Sequence, residues 1–182
     1  MGRVFVVGSL NLDLVLSVET CPAPGETVLA RAVSRGCGGK GANQAVSAAR
    51  AGAQVTMVGC TGDDPGARLL RQALGAAGVD AAGVIEVPGE SGLAVVTVSA
   101  DGENQIVVAP GANLQADERV VRAGLASLGP ADVVLAQAEI PVAAITAAAA
   151  VARERGARFV LNLAPPVALP LEGLGLDTLL VN

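Results

Sequence analysis

Gly36-Cys37-Gly38-Gly39-Lys40-Gly41-Ala42-Asn43-Gln44-Ala45-Val46 is the stretch on which the reading of this chain turns. Four glycines in the six positions 36–41 let the backbone come close to a ligand and take conformations closed to other residues. Ala45, Ala48, Ala49 and Gly52 then recur at spacings of three and four, which predicts a helix. Loop and helix start together gather free backbone N–H groups, Lys40 and Asn43 around one small space. Such a space suits an anion or a hydroxyl-rich ligand. It is not a Walker A loop, which needs Gly six residues before the Lys and Ser or Thr after it; here stand Ser34 and Gly41. A glycine turn entering a helix accounts for the glycines alone. Lys40 and Asn43, one helical turn apart beside them, are what favour a ligand site.

The composition narrows the field. Of 182 residues 52% are apolar, yet Phe5 and Phe159 are the only aromatics, so Val, Leu, Ile and Ala must build the core. That fits helices packed closely on a buried sheet. A net charge of −5 with no basic run argues against a nucleic-acid partner. Histidine is absent, which removes Ser-His and Cys-His chemistry and the usual zinc ligands. Cys21, Cys37 and Cys60 are widely spaced without a CxxC pair, so neither a disulfide framework nor a metal site is indicated. Cys37 inside the glycine loop is read as a small residue tolerated there. Val4–Val7 is too short for a signal peptide, and Arg153, Glu154 and Arg155 close the apolar run from Ala143 to Val151. The chain is expected to be soluble and cytoplasmic, with no membrane partner.

Taken in order, Arg3–Val7 reads as a buried strand ended by Gly8-Ser9. In the extended segment that follows, Asn11 and Asp13 face the same way and could grip one ligand beyond the strand's carboxyl end. An Asx turn is the other reading of that pair. Leu14–Val18 and Thr27–Val33 are expected strands about the turn Cys21-Pro22-Ala23-Pro24-Gly25-Glu26, with no helix between them, hence antiparallel. Gln54–Val58 is a strand. Asp64 caps the next helix, with Pro65 at its first position, and that helix stops near Gly78. Leu93–Ser99 and Asn104–Ala109 form a hairpin about Asp101-Gly102, and this pair is expected to join the earlier one in a small sheet. Helices over Ala116–Leu128 and Pro141–Arg155 then alternate with strands over Val133–Gln137, Arg158–Leu163 and Asp177–Val181. Alternation of this kind means a parallel sheet with helices on its faces. Glu139 follows its strand at the edge expected for Asn11 and Asp13, although an acid before a helix also serves the dipole.

Gly38-Gly39-Lys40-Gly41-Ala42-Asn43-Gln44-Ala45 resembles the sugar-site signature of the ribokinase family of carbohydrate and nucleoside kinases. Val7–Asp13 looks like that family's first strand and substrate loop, and Pro24-Gly25-Glu26-Thr27 like its flap turn. Thr61-Gly62-Asp63-Asp64, Pro110-Gly111-Ala112-Asn113, Glu139-Ile140-Pro141 and Leu161-Asn162-Leu163-Ala164-Pro165 follow in the family's order. The likeness spans the whole chain. Asp64-Pro65-Gly66 is one residue shorter than the family's loop, away from the sugar contacts.

The resemblance implies an α/β fold, a doubly wound parallel sheet, with a small β-sheet lid inserted at about 13–35 and 91–110. It implies ATP-dependent phosphorylation of the 5-hydroxyl of D-ribose, with Mg2+ and a monovalent cation as cofactors and a homodimer formed through the lid. The sugar contacts it carries over are Asn11, Leu12, Asp13, Gly39, Lys40, Gly41, Ala42, Asn43 and Glu139. Lys40 and Gln44 favour the ribokinase branch over fructokinases and adenosine kinases. Deoxyribokinase, nucleoside kinase and a non-catalytic sugar- or partner-binding module are the competing readings. Family members are longer, and the nucleotide-binding part with its GAGD catalytic Asp is missing here. Asn182 looks like the first residue of the family's Asn-x-x-Glu motif and is the one nucleotide-binding residue expected. No catalytic base and no metal ligand is therefore assigned, and the 182-residue chain is expected to be incompetent alone.

Overall fold

The computed structural model describes residues 2–181; Asn182, assigned to the nucleotide, lies outside them. The body is a six-stranded parallel sheet. In chain order its strands are β1 (Val4–Val7), β4 (Val55–Thr61), β5 (Val79–Glu86), β8 (Val133–Gln137), β9 (Arg158–Asn162) and β10 (Thr178–Leu180). Their spatial order is β10-β9-β8-β1-β4-β5. Helices α1 (Lys40–Arg50) and α2 (Pro65–Ala76) cover one face; α3 (Glu118–Gly124) and α4 (Val142–Arg155) cover the other. This is the doubly wound α/β fold that the alternating pattern predicts.

β1 lies at the centre of the sheet, and its residues serve both cores. Phe5 and Val7 pack with α3 and α4, while Val6 packs with α1 and α2. A strand buried on both faces must be apolar throughout, as Val-Phe-Val-Val is. α4 buries Ala144, Ile145, Ala147, Ala148, Ala149, Val151 and Ala152, small residues that bring the helix close to the sheet. Gly156, left-handed at φ 68°, ends it.

A second sheet has the order β3-β2-β6-β7: β2 (Asn11–Ser17), β3 (Ala32–Gly38), β6 (Gly92–Val98) and β7 (Asn104–Ala109). The two hairpins join through β2 and β6, which run parallel. Two expectations change here. The second strand of the first hairpin is Ala32–Gly38, not Thr27–Val33, because pairing with β2 runs from Ser17 opposite Ala32 to Asn11 opposite Gly38. Pro22 and Pro24 lack the N–H groups a ladder needs. Residues 27–30 lie outside the ladder, and Thr27, Val28 and Ala30 line a pocket with Leu16, Val18 and Thr97. Much of the glycine stretch is thus strand. Asn11 and Asp13, in turn, sit within strand β2 rather than in a loop beyond a strand, and the Asx-turn reading falls with the loop.

β5 is the strand that the sequence pattern does not announce. Val79, Val84 and Ile85 are its only strong strand formers, set among Asp80, Ala81, Ala82 and Gly83. Pairing with β4 makes it a strand, across a register shift between Thr56 and Val58.

Candidate functional site

Strand order reverses at β1: the chain steps to β4 and β5 on one side and later to β8, β9 and β10 on the other. In open α/β sheets ligands bind at the carboxyl ends of the strands at such a switch point. Ser9 follows β1, Glu139 follows β8, and both meet the start of α1 there. Glu139 Oε2 accepts from Ser9 Oγ at 2.5 Å and from the backbone N–H of Lys40 at 2.9 Å. Glu139 Oε1 lies 3.7 Å from Lys40 Nζ. The remaining N–H groups of the first turn are also engaged. Gly41 N–H donates to Ser9 Oγ at 3.3 Å, Ala42 N–H to Ser9 O at 2.9 Å, and Asn43 N–H to Gly39 O at 2.9 Å.

This corrects the expectation of free N–H groups at that helix start. The positive end of α1 is already neutralised by a carboxylate of its own chain. What faces outward is a lysine ammonium beside a carboxylate, both part exposed. Gly41 and Ala42 are buried against the β1–β2 turn and belong to the support of the site. Gly39 has φ 84°, and a side chain there would press on Ser9 O and Asn11 N at about 3 Å, so only glycine fits.

Asn11 and Asp13 share one face of β2. Asp13 lies over Gly38, where an added Cβ would collide with its carboxylate. Burial first, and the negative charge of Glu139 second, push the Asp13 carboxyl above its ordinary value. Leu12 points the other way: it contacts α2 near Gly66 and lines an apolar pocket of about 400 Å3 with Leu14, Cys37, Leu69 and Leu93. The Cys37 thiol in that pocket is pushed up by burial and then by Asp13. Asn43 stands exposed one turn into α1. A cleft of about 530 Å3 runs from Lys40 and Glu139 past Ile106 and Val108 of β7 to Leu163, Ala164, Pro165 and Val181. Among the described residues, no group of three or more His, Cys, Asp or Glu side chains could hold a metal ion.

Sequence reasoning missed several supporting residues. Ser9 bridges Glu139 and Gly41. Asn113, buried, binds Leu10 and Asn11. Gln137 donates through Nε2 to Gln44 Oε1 at 2.7 Å. Asp64 caps α2 as expected, but it also holds Ser91 at the root of β6, through Ser91 N–H at 2.7 Å and Ser91 Oγ at 2.9 Å. Each partner lies far away in sequence, so no local motif announces it.

Amides, carboxylates and one ammonium thus stand together at a switch point, with apolar strands beside them and both phenylalanines, Phe5 and Phe159, buried in the core. The model of the pfkB family carbohydrate kinases matches residues 1–174, and the chain belongs to that family. It is 40% identical over 172 residues to a ribokinase of Haemophilus influenzae, covering 94% of this chain and 56% of that protein. A solved ribokinase of Thermotoga maritima superposes with a TM-score of 0.88 at 32% identity, over 100% of this chain and 60% of the other. A structure of Arabidopsis thaliana ribokinase complexed with ribose and ATP superposes with a TM-score of 0.75 at 32% identity, over 90% of this chain and 54% of that one. The chain therefore spans little more than half the length of these relatives.

Proposed function

We propose that this chain forms the sugar-holding part of an ATP-dependent kinase that phosphorylates the 5-hydroxyl of D-ribose. One observation carries the reading: Glu139, fixed by Ser9 and the start of α1, pairs with Lys40 at the switch point and faces Asp13. Carboxylates accept from sugar hydroxyls, while Lys40 and the amides of Asn11 and Asn43 donate to them. The second sheet acts as a lid, with Ile106 and Val108 against the sugar's apolar edge. Ribose is favoured because the relatives are ribokinases and one of them was solved with ribose and ATP.

Phosphoryl transfer is mostly positioning and charge neutralisation. ATP and Mg2+ would supply the phosphoryl group and part of that neutralisation. The first-turn N–H groups of α1 are all engaged within the chain, so this helix is no phosphate cradle. The chain's own residues bind and orient the sugar. We further place the protein in the cytoplasm, in keeping with free thiols at Cys21, Cys37 and Cys60, and infer a homodimer formed lid to lid. Exposed Val33 and Val107, on the face of the second sheet opposite Ile106 and Val108, supply apolar surface for such a contact.

Calorimetry with D-ribose, 2-deoxyribose, fructose and adenosine tests the reading, alongside Asp13→Asn. Loss of one charge-assisted bond should weaken ribose by about 10- to 150-fold. Unchanged ribose affinity in a folded Asp13→Asn variant would remove Asp13 from the site. A preference for 2-deoxyribose or adenosine would move the assignment to another branch of the family.

A further inference from the structure

Asn113 lies in the 3-10 turn Gly111–Gln115, where the chain leaves the second sheet, and is only 1% exposed. The backbone N–H of Leu10 donates to its Oδ1 at 2.9 Å. A backbone N–H can only donate, so this contact fixes which end of the Asn113 amide is oxygen. Asn113 Nδ2 must then be the donor on the other side, to Leu10 O at 3.2 Å and to Asn11 Oδ1 at 2.8 Å. Only the oxygen end of Asn11 can accept that bond. The orientation of one amide thereby dictates the other. The contact also needs a bare backbone beside it: at Gly92, the β6 partner of Asn11, a Cβ would collide with Asn11 Oδ1 and Asn113 Nδ2.

From this geometry we infer that Asn113 is a positioning residue that turns the Nδ2 end of Asn11 toward the ligand. β2 then presents a donor at Asn11 and an acceptor at Asp13, two residues apart on one face. Two neighbouring hydroxyls match that order, one accepting and one donating. A phosphate or a second carboxylate does not, because Asp13 would repel it. The inference rests on the sugar reading for its ligand, but the orientation of the amide does not.

The test uses the full 182-residue chain labelled with 15N. In wild type, the side-chain NH2 protons of Asn113 should exchange slowly with solvent, and those of Asn11 faster. Asn113→Asp still accepts from Leu10 but has nothing to donate, so Asn11 should turn its NH2 toward the new carboxylate and become the protected amide. Asn11 exchange that is already slow in wild type, and unmoved by Asn113→Asp, overturns the proposal whether or not ribose is the ligand. With D-ribose, Asn113→Asp should weaken binding by about 5- to 150-fold. Equal affinity in wild type and variant also overturns it. Failure of the wild type to bind ribose counts against the sugar reading alone, and the amide exchange still decides. A purely structural Asn113 would lower the melting temperature while leaving Asn11 exchange and ribose affinity unchanged. Should Asn113→Asp not fold, Asn113→Ser keeps a group for Leu10 N–H and none that reaches Asn11. It should lose about 2- to 10-fold in affinity, and no loss in the folded Ser variant overturns the assignment.

Discussion

Glu139→Gln separates two accounts of this carboxylate by the sign of a stability change. A carboxylate that merely faces a ligand, with Asp13 nearby, would relieve repulsion when neutralised, and the protein would gain stability. Here Glu139 also neutralises the start of α1 through Ser9 Oγ at 2.5 Å and Lys40 N–H at 2.9 Å. A charge-assisted bond exceeds a neutral one by about 1 kcal/mol, so the two together lose about 2 kcal/mol. The Lys40 contact, long and part exposed at 3.7 Å, adds a few tenths at most. Relief of repulsion with Asp13 returns on the order of 0.5 kcal/mol. The net is a destabilisation of about 1.5–2 kcal/mol, or a fall in melting temperature of about 3–8 °C for a chain of this size. Differential scanning calorimetry at pH 7 without ligand reads it directly. A melting temperature that is unchanged or raised would refute the capping role and leave Glu139 a ligand-facing residue only.

Asp64→Ala should cost about 1–3 kcal/mol in chemical denaturation, because it removes the α2 cap and orphans Ser91 N–H; a loss under about 0.5 kcal/mol would count against a latch at that root. Asp13 accepts from hydroxyls most strongly when ionised, and its folded pKa is raised, so ribose affinity should be level near neutrality and fall with decreasing pH sooner than for an ordinary carboxylate. Titrations from pH 7 to 4 that stay flat would contradict this. Asp64 and Asp132 behave oppositely. Burial raises both, yet bonds from Ser91 and Ala67, and from Arg3 and Gly129, outweigh it and hold them low. Their stabilisation is present above the ordinary carboxylate range and should disappear as pH falls through it, visible as a falling melting temperature below about pH 4. The Cys37 thiol, pushed up by burial, should react with maleimide at pH 7 more slowly than a free cysteine peptide and speed up toward alkaline pH; rapid labelling at neutral pH would show an open thiolate.

Local signals announced those parts of the fold whose cause is local. Asp64-Pro65 starts α2 because cap and proline act within one turn, and Asp101-Gly102 turns a hairpin for the same kind of reason. Val133–Gln137 is apolar enough to be a strand in any context. Lys40 and Glu139 were legible as chemistry, and the structure brings them together. Their relation to α1 was not, since Lys40 and Glu139 stand 99 positions apart and Gly41 and Ser9 stand 32 apart. The strand expected over 27–33 is displaced because a strand needs a partner as well as apolar residues, and β2 pairs with 32–38. Asn113 stands in a motif that the resemblance marks, but its role carries no local sign, because its partner Leu10 is 103 residues away.

The two sheets are joined at their roots, and the polar residues sit at those roots. Ser9 and Leu10, the turn between β1 and β2, hold Gly41, Ala42, Glu139 and Asn113. At the other root, Asp64 holds Ser91 just before β6. The far ends of the second sheet, at residues 18–31 and 99–103, make their backbone bonds within that sheet. A motion of the sheet about its roots would therefore displace its tips most and Asn11 least. Ile106, midway along β7, would travel further than Asp13, which stands two residues from the root of β2. The donors and acceptors can then stay in register while the apolar strands close over different ligands. On the proposed sugar reading, selectivity for hydroxyl pattern would reside in the root, and accommodation of ligand shape in the strands beyond it.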